Sequence, residues 1–214
     1  MSGTSLPIEE IRGEFLEALK GASPRILLKA PTGSGKSTGI PPMMDDAGLG
    51  ENGLIVVVQP RRMAARLLAR HVARLRGSEL GREVGYMVRF ERHISSRTRI
   101  AYVTDGVLER WLTDRPCLEG VSAVVFDEFH ERSLSGDLSL GRVLDLQEGP
   151  RPDLAVVVMS ATLEMSGLRE YMGESCRELE ACGRQYPVEI KYRPSRPVSD
   201  GRGRGAPPSV WDQA

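Results

Sequence analysis

Nine consecutive residues, Ala30-Pro31-Thr32-Gly33-Ser34-Gly35-Lys36-Ser37-Thr38, fit the phosphate-binding pattern G-x-x-x-x-G-K-[ST], with Ala30 in place of the first Gly. A small residue can serve there, because the first Gly is partly a steric requirement. Backbone N–H groups from Gly33 to Ser37 would point at a triphosphate such as ATP, aided by the positive end of the following helix. Lys36 would reach the β- and γ-phosphates as a point charge, and the Ser37 hydroxyl would hold Mg²⁺. Farther along, Val124-Val125-Phe126-Asp127-Glu128-Phe129-His130 is an apolar run ending in adjacent carboxylates. Asp127 is placed to bind Mg²⁺ through its water shell beside Ser37. Glu128 is placed to orient and deprotonate an attacking water. Hydrolysis of an anhydride needs both jobs, since the metal neutralises phosphate charge while a base aims the nucleophile. Taken alone, Gly-Ser after a strand is a turn and Asp-Glu is a surface corner. The two segments together, about ninety residues apart and in this order, point to one nucleotide site.

These residues need strands to carry them. Arg25-Ile26-Leu27-Leu28-Lys29 reads as a strand running into the loop, and a helix can begin at Lys36 and is expected to be interrupted at Pro41-Pro42. Leu54 to Val58, Val121 to Phe126 and Leu154 to Met159 are continuous apolar runs, the pattern of strands buried on both faces. Val84 to Phe90 and Ile100 to Val103 read as further strands. Helices are expected over Pro7 to Leu19, Met63 to Leu75, Asp105 to Leu112 and Leu134 to Leu146. In the second of these, Arg66, Arg70 and Arg74 form a row four apart, opposite a face expected to hold Leu67 and Leu68. This alternation from residue 25 to about 175 specifies an α/β fold: a mostly parallel sheet with helices on both faces and ligands at the carboxyl ends of the strands. The phosphate loop, Gln59, Thr104, Asp127 and Ser160 all fall at such ends.

Bulk composition narrows the partners. The 214 residues carry 29 basic and 29 acidic side chains, so no global field draws the chain to nucleic acid, and such contact must come from a local patch. The basic side is nearly all Arg; lysines occur only at Lys20, Lys29, Lys36 and Lys191. Cys117, Cys176 and Cys182 are odd in number and lack C-x-x-C pairing, which suggests reduced thiols in a cytoplasmic protein. Cys176 and Cys182 could meet. No signal peptide or membrane-span length of apolar sequence is present, so no membrane partner is expected. Tyr186 to Tyr192 reads as extended. Pro194 to Pro208 is rich in Pro, Gly, Arg and Ser, and 193–214 is expected to be a flexible linker or tail. The Gly201-Arg202-Gly203-Arg204-Gly205 run could touch RNA or simply be solvated linker.

Asp127-Glu128-Phe129-His130 resembles a DExH box, and four more segments appear in family order. Gln59-Pro60-Arg61-Arg62-Met63-Ala64-Ala65 resembles motif Ia of DEAH-type RNA helicases. Gly85-Tyr86-Met87-Val88-Arg89-Phe90-Glu91 resembles their G-Y-x-[IV]-R-F-[ED] segment, Thr104-Asp105-Gly106-Val107-Leu108 motif Ib, and Ser160-Ala161-Thr162 motif III. Phe129 followed by Glu131-Arg132-Ser133-Leu134 is similar to the bacterial HrpB-type branch. The likeness spans roughly residues 5 to 192 and implies a RecA-like P-loop NTPase domain at 25–192, the first lobe of a superfamily 2 helicase, entered through an N-terminal helix within 1–24.

The resemblance also implies roles. Ala30 to Thr38 would bind ATP or another nucleoside triphosphate. Lys36, Asp127, Glu128 and His130 would be catalytic, with Ser37, Asp127 and Glu128 around Mg²⁺, partly through water. His130 would couple the nucleotide to Ser160, Ala161 and Thr162. Arg61, Arg62, Arg89, Thr104 and Asp105 would contact the backbone of single-stranded RNA, or support those contacts, giving salt-sensitive, sequence-independent binding. A solvated helix start for Arg61-Arg62 is the plain alternative, though cations are disfavoured at a helix N-terminus. An N-cap is the plain alternative for Thr104-Asp105. Relatives often stack the adenine on an Arg where this chain has His71, which leaves the base contact open; His71 and His93 show no metal-ligand spacing.

Helicases of this class use a second RecA-like lobe, with C-terminal domains beyond it, and nothing after Thr162 resembles the arginine-finger motif of that lobe. Such a finger is worth on the order of 10³ or more in rate. The 214-residue chain by itself is therefore expected to bind nucleotide, hydrolyse it weakly and unwind nothing. Two other readings stand beside this one. A P-loop kinase would have no use for Ser160-Ala161-Thr162 or Gln59-Pro60-Arg61-Arg62. A regulatory nucleotide- or RNA-binding module would have no turnover to lose, although the catalytic carboxylates are intact.

Overall fold

The structure, a computed structural model, describes residues 6–161 and 166–182. The chain divides into Met1–Gly183 and Arg184–Ala214, and every described residue lies in the first unit. The expectations for Thr162, for Tyr186 to Tyr192 and for the 193–214 tail fall outside the described residues.

Eight strands form one sheet: β1 (Arg25–Lys29), β2 (Leu54–Gln59), β3 (Val84–Val88), β4 (Glu91–His93), β5 (Ile100–Thr104), β6 (Val121–Phe126), β7 (Ala155–Ser160) and β8 (Arg177–Glu180). Their order is β4-β3-β5-β2-β6-β7-β1-β8, parallel throughout except for the β3–β4 pair. The helices are α1 (Arg12–Ala18), led by a 3₁₀ turn at Pro7–Ile11, then α2 (Lys36–Asp46), α3 (Leu49–Asn52), α4 (Arg62–Leu75), α5 (Asp105–Asp114), α6 (Leu134–Glu148) and α7 (Ser166–Tyr171). A second 3₁₀ turn, Phe129–Glu131, follows β6.

The continuous apolar runs make the central strands. Every residue of β6 and β7 is buried, because side chains alternate between two faces and both faces are covered. On one face Ile26, Leu28, Ile55, Val57, Tyr102, Val125 and Val157 share a core with Phe15, Ile40, Met44 and Ala69 from the helices. On the other, Leu27, Val56, Val58, Val103, Val124 and Phe126 meet Leu108, Leu112, Leu140 and Val143. Ile8, Ile11 and Phe15 are buried in the first core, so the described N-terminal turn and α1 pack into that layer.

Three sequence expectations need correction, and one strand was not foreseen. The segment Val84 to Phe90 is not one strand. β3 stops at Val88, Phe90 turns with φ 69°, and β4 returns antiparallel. Phe90, 89% exposed, forms the tip. In α4 the sheet-facing residues are Ala65, Ala69, Val72 and Ala73. Leu68 is only partly buried and Leu67 is 54% exposed, because small residues let the helix lie close to the strands. α2 is not interrupted at Pro41-Pro42 but runs through both. Proline at those positions removes the N–H groups that would bond the carbonyls four residues back, and the Ser37 carbonyl instead accepts a 2.8 Å hydrogen bond from the Tyr102 hydroxyl. Finally, β8 pairs in parallel with β1 at the sheet margin. Its alternating Arg177-Glu178-Leu179-Glu180 carries a single core residue and gave no apolar run to read.

Candidate functional site

All the parallel strands end on one rim, and the motif residues gather there. The loop after β1 turns through Gly33 at φ 82° and Gly35 at φ 89°, conformations that favour glycine. A Cβ on Gly33 would meet nothing within 4 Å, so the loop opens on free space; one on Gly35 would lie 2.8 Å from Leu6 Cδ1. The Ile8 N–H donates to the Ser34 carbonyl at 3.2 Å, so the N-terminal turn braces the loop from beneath. Ala30 is not among the residues of positive φ, and its N–H donates to the Ser160 carbonyl at 3.0 Å. No glycine is required at that position. The Ser34 hydroxyl is buried with no hydrogen-bond partner among the described residues.

Lys36 opens α2, 3% exposed, and its Nζ sits 2.9 Å from Glu128 Oε1. The other oxygen of Glu128 lies 3.4 Å from His130 Nε2. His130 Nδ1 accepts from the Ala161 N–H at 3.4 Å, which leaves the imidazole proton on Nε2, facing the carboxylate. Glu128 holds a left-handed backbone, φ 51°, at the corner between β6 and the 3₁₀ turn. That twist aims it toward Lys36 while Asp127 stays under the sheet rim. Asp127 accepts from the Gln59 amide and from its neighbour's N–H at 2.9 Å, and the Ser37 hydroxyl lies beside it. Burial pushes the Asp127 carboxyl above its ordinary range, partly offset by the Ser37 and Gln59 hydrogen bonds and by the Lys36 charge.

Ser37 and Asp127 together offer a hydroxyl and a buried carboxylate, hard oxygen donors already in contact. Among the described residues no group of three or more His, Cys, Asp or Glu could hold a metal. A hard cation here would rest on two protein oxygens and take the rest of its shell from phosphate and water. That is the ligand pattern magnesium favours, so the residues fit it.

The residues expected to contact nucleic acid follow the ends of β2, β3 and β5. Arg61 caps α4, largely exposed, and its guanidinium pairs with Glu131 at 2.9 Å; Arg62 beside it is also exposed. Thr104 occupies the N-cap of α5 but makes no side-chain capping bond, so the plain capping role does not describe it. Asp105 accepts from the Ser133 hydroxyl at 2.8 Å, and Ser133 in turn caps α6 through the Gly136 N–H. Burial raises the Asp105 carboxyl. A cleft of about 190 Å³ lies among Pro60, Asp105, Glu128, Glu131, Arg132 and Ser133. Arg89 stands apart at the β3–β4 tip, stacked 4.8 Å from the Phe90 ring centroid. Ser160 is buried and Ala161 reaches His130, while Thr162 is outside the described residues. His71 is exposed on α4, His93 stacks on Tyr86 at 4.8 Å, and the three cysteines are free thiols.

Three residues join the site that carried no role in sequence. Gln59 orients Asp127, Glu131 restrains Arg61, and Tyr102 holds the Ser37 backbone. A polar residue closing the apolar run of β2 was the available sign of the first. The two prolines in α2 were the available sign that an outside donor was needed.

The DEAD/DEAH box helicase family model matches residues 10–171. The chain is 44% identical over 191 residues to the ATP-dependent RNA helicase HrpB of Escherichia coli, covering 89% of this chain and 23% of that one. It is 40% identical to the probable ATP-dependent RNA helicase DHR2 of Saccharomyces cerevisiae, covering 88% and 26%, respectively. A crystal structure of E. coli DExH-box NTPase HrpB superposes with a TM-score of 0.81 at 41% identity, covering 94% of this chain and 24% of that one. A second structure, of E. coli DEAH/RHA helicase HrpB, gives 0.80 at 42%, covering 86% and 23%. The chain thus spans about a quarter of the length of these relatives. The RecA-like fold and the HrpB-type likeness stand on these matches: the chain belongs to the DEAD/DEAH box helicase family.

Proposed function

We propose that this chain is the nucleotide-binding lobe of an ATP-dependent RNA helicase, coupling ATP binding and hydrolysis to contact with an RNA backbone. The observation that carries the reading is one connected network at the sheet rim. It runs from Lys36 through Glu128 and His130 to Ala161, and from Ser37 through Asp127 to Gln59. Residues 30–38 cradle the triphosphate of ATP or another nucleoside triphosphate. Ser37 and Asp127 hold magnesium, which neutralises charge on the phosphates when bound, while Glu128 orients and deprotonates water.

Lys36 and Glu128 pair at 2.9 Å. A γ-phosphate drawn to Lys36 competes for that ammonium and releases Glu128 toward water. His130 senses the same carboxylate and reports to Ala161 in the motif III segment. Arg61, Arg62, Thr104 and Asp105 form the RNA-facing stretch of the rim, and Arg89 reaches RNA from its separate place at the β3–β4 tip. Phosphate contacts there give binding without sequence preference. Among the described residues no helix is long and apolar enough to cross a membrane, and a cytoplasmic setting fits RNA as partner.

A second RecA-like lobe and C-terminal domains supply the remaining motifs in the working helicase. By itself the 214-residue chain binds nucleotide, turns it over weakly and does not unwind. The test compares ATP turnover and nucleotide affinity for wild type, Lys36→Ala and Glu128→Gln. Loss of affinity in the first, and loss of turnover with undiminished or increased affinity in the second, are expected. Wild type with no turnover at all and an inert Glu128→Gln would mark a binding module instead. Robust RNA-stimulated turnover by the chain alone would overturn its dependence on a second lobe.

A further inference from the structure

We propose that Tyr102 is a positioning residue for the metal-binding end of the phosphate loop: its hydroxyl replaces the backbone donor that Pro41 lacks and so sets the orientation of Ser37. The inference rests on the reading of Ser37 as a magnesium ligand.

In a regular helix the Ser37 carbonyl would accept from the N–H of residue 41. Residue 41 is proline, which has no N–H and whose ring crowds the carbonyl four residues back. The carbonyl belongs to the same residue whose hydroxyl contacts Asp127. Its peptide group would otherwise be a buried acceptor without a partner in the first turn of α2. Tyr102 reaches it from β5, 2.8 Å away, from a fully buried position.

Two consequences follow from this arrangement. The rotation of Ser37 about the helix axis is fixed by a side chain on a different element, not by the helix itself. That element is β5, whose end carries Thr104 and leads into Asp105. A helix without Pro41 would need no such support, and a phenylalanine at position 102 would then suffice.

The experiment exploits that complementarity. The full 214-residue chain is prepared as wild type, Tyr102→Phe, Pro41→Ala and the double variant, with Lys36→Ala as control. Binding of a fluorescent nucleoside triphosphate is followed while Mg²⁺ is titrated, and each variant is melted thermally. Tyr102→Phe is expected to raise the Mg²⁺ midpoint about tenfold, as loss of one hydrogen bond to a buried acceptor implies. Affinity for nucleotide in EDTA is expected to stay within about twofold, a split that general loosening of the core would not produce. Adding Pro41→Ala, which restores the N–H donor, is expected to return the midpoint to within about threefold of wild type. An unchanged midpoint in Tyr102→Phe overturns the proposal, and so does a double variant no better than Tyr102→Phe. Should Tyr102→Phe alone melt below the assay temperature, the double variant decides: it must fold and bind with the wild-type midpoint, and failure to do so overturns the proposal. The Lys36→Ala control separates the levels. Undiminished nucleotide binding there defeats the reading of the site itself, whereas loss there with an unaffected Tyr102→Phe defeats only the role of Tyr102.

Discussion

Replacing Glu128 by Gln tests the competition at the centre of the site. The Lys36–Glu128 pair is 2.9 Å long, with the lysine side chain 4% exposed and the glutamate 26%. At that distance and an effective dielectric near 20, the gross attraction is about 6 kcal/mol. Desolvation of the buried ammonium offsets most of it. The Gln amide keeps one acceptor for Lys36, so the net loss in the free chain is about 1–2 kcal/mol. The melting temperature of the nucleotide-free variant should fall by about 2–8 °C for a domain of this size. The same 1–2 kcal/mol reappears with opposite sign in binding, because the triphosphate no longer has to displace a carboxylate from Lys36. Affinity for nucleotide should therefore rise roughly 5- to 30-fold, while turnover falls by about 10² or more with loss of the base. Thermal melts and equilibrium titration of a fluorescent nucleotide read both quantities. A variant that binds more weakly than wild type would refute the competition, since Glu128 would then be assisting the phosphate rather than opposing it.

Arg62→Ala should weaken single-stranded RNA binding equally for all sequences and lower the salt slope by about 0.7. Anisotropy titrations at several salt concentrations would show a steeper or unchanged slope if Arg62 faces only solvent. Glu131→Gln should strengthen the same binding by freeing Arg61 from its 2.9 Å partner, and an unchanged affinity would remove Arg61 from the interface. Gly35→Ala should cost about 1–2 kcal/mol from the left-handed backbone alone, visible as a lower melting temperature even without nucleotide. An unaltered melt would mean that the loop adopts another path.

The pH dependence follows from Asp127. Its carboxyl is raised in the fold above the ordinary 3.8, chiefly by burial, so the native chain takes the proton before the unfolded chain does. That contribution is complete below the unfolded value and is lost as pH rises through the folded one. Relative to Asp127→Asn, the nucleotide-free wild type should gain stability as pH falls from neutral into the mildly acid range. A difference in melting temperature that does not vary with pH would show that Asp127 is not strained by its burial.

Most of the site could be read from sequence because its geometry is local. A strand, a loop and a helix start place Lys36 and Ser37, and the apolar run Val121 to Phe126 delivers Asp127 and Glu128 to the same rim. Parallel pairing then brings the two segments together, which spacing alone implied. What escaped depended on contacts between distant segments. Nothing near Tyr102 in sequence says that it meets Ser37, and Pro41-Pro42 argued for a break that a side chain from another strand forestalls. β3 was drawn two residues too long, because Arg89 and Phe90 continue an extended-looking run, and the short β4 beyond them was not foreseen. Only the positive φ of Phe90 reveals the reversal. Leu67 and Leu68 were drawn toward the core by hydrophobicity, whereas the sheet selected alanines for close approach.

Among the described residues, the two margins of the sheet are both poor templates for further growth. β4 is three residues long and charged, Glu91-Arg92-His93, and Arg66 clamps Glu91 at 2.8 Å. On the opposite border β8 shows Arg177, Glu178 and Glu180 outward. An unpaired strand edge invites another copy to add itself, and short charged borders discourage that. Neutralising β4, for example with Glu91→Val and Arg92→Thr, would make that border a nucleus for self-association while leaving the phosphate loop untouched.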